Sequence, residues 1–178
     1  MPGFINGNEF VVLRYMPSYR SWEDLTREHP GSIVITEANV DLATVLSTYP
    51  DIATIHFSDI EEVSGGLTTV LETLRNSSIS ILSFGEMASI TPQEIAEIGI
   101  FLRDNSTVKE LDLHTSNKIT NAALKQFSES LYQNTTLIRL NLELCHFEPG
   151  FGGVFADLLL RNKSIASLNL NSNGLDDE

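Results

Sequence analysis

The residues best suited to chemistry are Cys145 and His146, adjacent in the chain, and three further histidines, His29, His56 and His114. A thiolate beside an imidazole would supply a nucleophile and its base. Neighbours along an extended segment point to opposite sides, however, so these two side chains diverge. The histidines show no metal-binding spacing such as H-E-x-x-H. Gly65-Gly66 and Gly150–Gly153 lack the lysine or the repeated glycine pattern of a phosphate-cradling loop. Abundant Asp and Glu do not by themselves define a paired-carboxylate site. No enzyme signature survives. No catalytic residue, cofactor or metal is expected.

The element that positions Cys145 is a repeat. Three stretches open VKELDLHTSNKI, LIRLNLELCHF and IASLNLNSNGL. Their apolar trios are Val108, Leu111, Leu113; Leu137, Leu140, Leu142; and Ile165, Leu168, Leu170, each spaced 0, +3, +5, with starts 29 and 28 residues apart. The helical segments stay in step, ending in Asn105, Asn134 and Asn162 at the same intervals. Self-similarity of this period predicts a solenoid, in which each unit buries its apolar face only against its neighbours.

These residues resemble the leucine-rich repeats of the ribonuclease-inhibitor type, L-x-x-L-x-L-x-x-N/C-x-L followed by a full helix, a unit of about 28 residues. Cys145 and Asn173 fill the N/C position, and the resemblance covers roughly residues 50–178. It implies an α/β leucine-rich-repeat solenoid, a curved parallel sheet inside and α-helices outside. It also implies that Cys145 is buried beneath its turn as a structural residue. Proteins of this repeat type include cytosolic inhibitors, receptors and scaffolds, and some bacterial effectors.

Charge narrows the partner. Eleven Lys and Arg against 24 Asp and Glu leave −13 over 178 residues. That balance excludes nucleic acid bound through its phosphates, which needs basic clusters, and argues against an anionic membrane surface. A protein partner, of basic character if charge selects it, fits better. One cysteine cannot form an internal disulfide. Phe10–Leu13 is too short for a signal peptide, and no run approaches membrane-spanning length. A cytoplasmic setting is expected, the alternative being a bacterial effector delivered into a host cytosol, with a catalytic part beyond Glu178.

Taken in order, residues 1–31 form an expected N-terminal cap, with a strand-like run at Phe10–Leu13, a helix opening at Ser21 and Trp22 as covering bulk. Residues 32–178 are expected to hold the repeats. A degenerate unit spans 32–51, and further units start near 52, 79, 108, 137 and 165, the last incomplete. Thr91-Pro92-Gln93-Glu94 carries a capping box with proline at the first helical position. The units at Ile79 and Val108 hold one extra residue after the strand. The asparagine position there falls on Met87 or Ser116, with Asn117 as a substitute in the second. Glu148–Gly153 predicts the least regular helix start. After Ile165–Leu175 the sequence predicts either continuation beyond Glu178 or an open apolar end that meets another molecule, a self-complementary dimer being one arrangement.

The residues between the buried leucines fall into columns on the concave strand face, about 4.8 Å apart. The first is Thr54, Ile81, Glu110, Arg139, Ser167; the second His56, Ser83, Asp112, Asn141, Asn169; the third Ser58, Gly85, His114, Glu143, Asn171. This places Glu110 opposite Arg139 and His114 opposite Glu143. The candidate partner-binding residues are His56, Glu110, Asp112, His114, Arg139, Asn141, Glu143, Asn169 and Asn171, with Arg139 the best single anchor. The expected function is non-catalytic protein recognition through this face.

Overall fold

A computed structural model of the chain describes residues 3–5, 8–10, 32–35, 41–57, 66–85, 90–116 and 119–174. Most of the expected cap, including Val11–Leu13, Ser21, Trp22 and His29, lies outside the described residues, as do Ser58, Met87, Asn117 and 175–178. Two short strands, β1 (Gly3–Ile5) and β2 (Asn8–Phe10), pair antiparallel.

From β3 (Ser32–Ile35) the chain alternates strand and helix: α1 (Leu42–Thr48), β4 (Thr54–Phe57), α2 (Gly66–Leu74), β5 (Ile81–Ser83), α3 (Pro92–Asp104), β6 (Glu110–Asp112), α4 (Asn121–Leu131), β7 (Arg139–Asn141), α5 (Gly152–Arg161) and β8 (Ser167–Asn169). Strands β3 to β8 form one parallel sheet in chain order. Parallel strands require a crossover, and each helix supplies one. The register puts the central apolar residues in one line: Ile33, Ile55, Leu82, Leu111, Leu140 and Leu168.

The trios Ile52, Ile55, Phe57; Ile79, Leu82, Phe84; Val108, Leu111, Leu113; and Leu137, Leu140, Leu142 are buried, and Ile165, Leu168, Leu170 is partly so. A leucine-sized side chain removed from water contributes about 1.5–3 kcal/mol, so these lines are the main stabilising term. Phe57 and Phe84 stack at 5.1 Å between ring centroids. The helices close the other side of the core with Leu67, Val70, Leu71 and Leu74 of α2, Ile95, Ile98 and Leu102 of α3, and Leu124, Phe127 and Leu131 of α4. Gly99 permits the close approach of α3 to α4, since a Cβ there would lie 2.8 Å from the Phe127 Cα.

Local signals explain the helix ends. The Thr91 side chain accepts the Glu94 N–H at 3.2 Å, and the Glu94 carboxylate accepts the Thr91 N–H at 2.8 Å. Asp41 accepts from Ala43 and Thr44 at the start of α1, and Thr120 caps α4. The glycine-rich approach to α5 has no side-chain cap, in keeping with its composition.

The three helix-ending asparagines are buried, and Asn134 and Asn162 join successive units. Asn134 donates to the carbonyls of Leu102 at 2.7 Å and Asn105 at 3.3 Å, while its oxygen accepts the N–H groups of Thr136 and Leu137. Asn162 repeats this one unit on, donating to Leu131 and Asn134 and accepting from Ser164 and Ile165. Each side chain therefore satisfies backbone groups that a turn would otherwise bury unpaired.

Candidate functional site

Alternation along β4 to β8 turns the central apolar residue toward the helices and its neighbours to the opposite face of the sheet. On that face the register pairs Glu110 with Arg139 and then Ser167, and Asp112 with Asn141 and then Asn169. The Arg139 guanidinium donates to the Glu110 carboxylate. That hydrogen bond, with the charge beside it, raises the Arg139 pKa above its ordinary value. Arg139 is exposed.

Asp112 is the hub of the second column. Its carboxylate lies 2.9 Å from His114 Nδ1, accepts the His114 backbone N–H at 3.0 Å, and accepts from Asn141 Nδ2 at 2.9 Å. Ser83 reaches its second oxygen at 3.4 Å. Burial works to raise the Asp112 pKa. The His114 hydrogen bonds and charge, with the more distant His56, outweigh it and hold the carboxyl below its ordinary value.

The column continues in both directions. His56 Nδ1 lies 2.6 Å from Ser83 Oγ. Asn141 accepts the Glu143 N–H at 3.2 Å, Asn169 donates to the Glu143 carboxylate at 3.0 Å, and Asn169 accepts the Asn171 N–H at 3.1 Å. Asp112 and Asn141 are half-buried, and Asn171 is exposed. His56 and Ser83 are buried, so the face is closed at the β4–β5 end and open from β6 onward.

His114 sits opposite Glu143 by register, yet its ring turns to Asp112 and lies over Gly85, where an added Cβ would collide with it. The Glu143 carboxylate turns the other way, to Asn169. Spacing put these two residues side by side but could not give the direction in which each side chain leans. Gly85 is the missed member of the site. Its signal was the one column position without a side chain, which is where a large neighbour can lie flat.

The geometry gives little for covalent chemistry. Ser83 stands between His56 and Asp112, whereas an activated serine needs the histidine between hydroxyl and carboxylate. Cys145 is buried, and its thiol donates to the Leu113 carbonyl at 3.2 Å. Burial pushes its pKa up to about 12. His146 is exposed, whereas the Cys145 thiol is buried. Among the described residues no group of three or more His, Cys, Asp and Glu side chains is placed to hold a metal ion. No helix among them is long and apolar enough to cross a membrane.

Comparison with known proteins rests on structure. No family model and no curated protein matches the chain. Among solved structures, it is similar to the leiomodin-1 actin-binding site 2, with 24% identity, a TM-score of 0.53, and 59% of this chain covered. That match takes in 61% of the leiomodin chain, less than two thirds of its length. It is also similar to the C-terminal domain of tropomodulin from Caenorhabditis elegans, with 11% identity, a TM-score of 0.53, and 85% of this chain and 81% of that one covered. The fold is leucine-rich-repeat-like. At these identities the likeness is one of architecture, an α/β chain with a parallel sheet. It lends no support to the alternative of a bacterial effector.

Proposed function

We infer that this chain is a non-catalytic protein-recognition module, a leucine-rich-repeat solenoid of the ribonuclease-inhibitor type. Residues 1–31 cap it, and 32–178 form repeats starting near 52, 79, 108, 137 and 165. The partner is a protein, bound on the concave strand face through Glu110, Asp112, His114, Arg139, Asn141, Glu143, Asn169 and Asn171. His56 supports the ladder from its buried end.

The observation that carries this reading is the hydrogen-bonded column from Ser83 through Asp112 and Asn141, which holds polar side chains in fixed positions before a partner arrives. Such preorganisation lowers the ordering cost of association. Actin is the first partner to test, because one of the similar structures is an actin-binding site. A basic protein is the second, because the chain carries −13.

The test is capture from cytosolic extract at low and high salt, with cosedimentation against filamentous actin as a separate arm. Arg139→Glu/Glu143→Lys serves as the matched variant. Binding that is lost in the variant supports the strand face. Binding that survives it moves the site to the helices or the C-terminal end and overturns the assignment.

A further inference from the structure

Asn134 and Asn162 each reach back to the helix before them, donating to the carbonyls of Leu102 and Leu131 at 2.7 Å. Each of these leucines lies three residues before the asparagine position of its own unit, where the helical ladder runs out of amide donors. The same offset in the α1 unit gives Leu46, three residues before Tyr49. The asparagine that would reach it is Asn76, which follows α2 and stands, like its counterparts, three residues before an apolar trio. Asn76 does not make that link. It is exposed, and it lines a cleft of about 440 Å³ between the C-terminal ends of α1 and α2.

The Leu46 carbonyl is left without a donor among the described residues. Its helical partner would be the N–H of residue 50, which is proline and has none. Further on, Ile52 donates only as far back as Tyr49, at 3.2 Å. The hydroxyls lining the cleft have spent their protons elsewhere. Ser47 donates to Thr44 at 2.9 Å, Thr73 to Thr69 at 2.8 Å, Ser77 to Leu74 at 2.8 Å and Ser78 to Pro50 at 3.1 Å. What they have left is lone pairs. Leu46 and Pro50 add an apolar wall beside them.

Charge runs the same way. A helix C-terminus carries partial negative charge. Helices α3 and α5 meet theirs with Arg103 and Arg161, but neither α1 nor α2 has a basic residue in its last turn. Arg75, just past α2, acts on the α3 side: the Asp104 carboxyl, held below its ordinary value first by the Arg103 hydrogen bond, also feels the Arg75 charge. Residues 1–89 hold 12 acidic side chains against 4 basic ones, so most of the −13 belongs to this half of the chain. The cleft therefore suits a ligand that is cationic, rich in N–H donors and carried on an apolar stem. An arginine side chain has all three properties.

We propose that the cleft between the C-terminal ends of α1 and α2 receives an arginine side chain of the protein partner, its guanidinium on the Leu46 carbonyl that Asn76 leaves unpaired. The existence of a partner rests on the recognition reading above, whereas the cleft does not depend on the strand face. Amide NMR of the full chain, titrated with N-acetyl-arginine amide, tests it. The expected result is saturable shifts at Ser47, Thr48, Ser77 and Ser78, with binding at least about tenfold weaker for the uncharged N-acetyl-citrulline amide. Ser47→Arg fills the cleft with the chain's own guanidinium and should weaken probe binding at least about tenfold. Gln126→Arg sets the same charge on an exposed position of α4 and should leave it within about twofold. Arg139→Glu/Glu143→Lys should leave it unchanged as well, so the strand face can fail as a recognition surface while the cleft stands, and the reverse. Far-UV circular dichroism and melting confirm that each variant is folded. Shifts that do not saturate overturn the proposal, as does citrulline binding as tight as arginine or probe binding that survives Ser47→Arg.

Discussion

The side-chain oxygen of Asn173 accepts the backbone N–H of Cys145 at 2.7 Å, one repeat upstream. Its amide donates to the Leu142 carbonyl at 2.6 Å, as the Cys145 thiol does to the Leu113 carbonyl at 3.2 Å. Two different residue types thus do one job, stitching each turn to the end of a buried strand. Ser116 does the same within its own unit, donating to Leu113 at 2.6 Å.

Cys145 should be chemically silent in the native protein. Its thiol stays protonated up to about 12, against an ordinary 9.0 in the unfolded chain. The unfolded state therefore binds fewer protons between those values, and stability should fall as pH rises through that window. Ellman's reagent at pH 8 should label less than a tenth of the native thiol and all of it in guanidinium, a contrast in thiolate access. Rapid native labelling would contradict the buried assignment.

Asp112 sets the opposite dependence. Its folded pKa lies below the ordinary 3.8, so the unfolded state binds the extra proton. Its contribution is present above that value and is lost as pH falls through it. Urea midpoints between pH 5 and 3 should fall less steeply in Asp112→Asn than in the wild type.

Asn134→Ala should cost about 3 kcal/mol. It strands the carbonyls of Leu102 and Asn105 and the N–H groups of Thr136 and Leu137 away from water. Asn134→Asp sets a buried carboxylate oxygen against the Leu102 and Asn105 carbonyls, so equilibrium denaturation at pH 7 should find it at least as destabilised as Asn134→Ala.

Two helical glycines should respond with opposite signs. Gly99→Ala forces a Cβ against the Phe127 backbone and should destabilise by about 1–3 kcal/mol, despite alanine's better helix propensity. Gly153 has open space around its Cβ position, so Gly153→Ala should stabilise by about 0.5–1 kcal/mol. Thermal melts of the pair decide the matter.

Leu144 is held in the left-handed region at φ 55°, with its side chain partly exposed. Leucine disfavours that region, which asparagine tolerates better. Leu144→Asn should therefore raise stability by about 1 kcal/mol in urea titration.

Repeat spacing made the sheet order legible, because 29- and 28-residue intervals leave one register for trios that must all face the helices. The pairing of Glu110 with Arg139 followed from it. The partners chosen within a column did not. Asp112 takes its own neighbour His114 as well as Asn141, because a short carboxylate can bond two residues along its strand as readily as across it. Burial of His56 was also invisible: its column position is that of an exposed residue, and what surrounds it is a matter of tertiary packing. Nor does the pattern show Glu148, whose carboxylate accepts the Asn121 N–H at 2.7 Å and caps α4 from the following unit.

The asparagine links have a direction. Asn134 completes the turn after α3, and Asn162 completes the turn after α4. During synthesis, then, a unit emerges from the ribosome with its buried carbonyls still unpaired. It closes only when the next asparagine, 28 or 29 residues later, has been added. Order is thereby conferred backwards along the chain, and stripping a unit from the C-terminal end reopens the one before it.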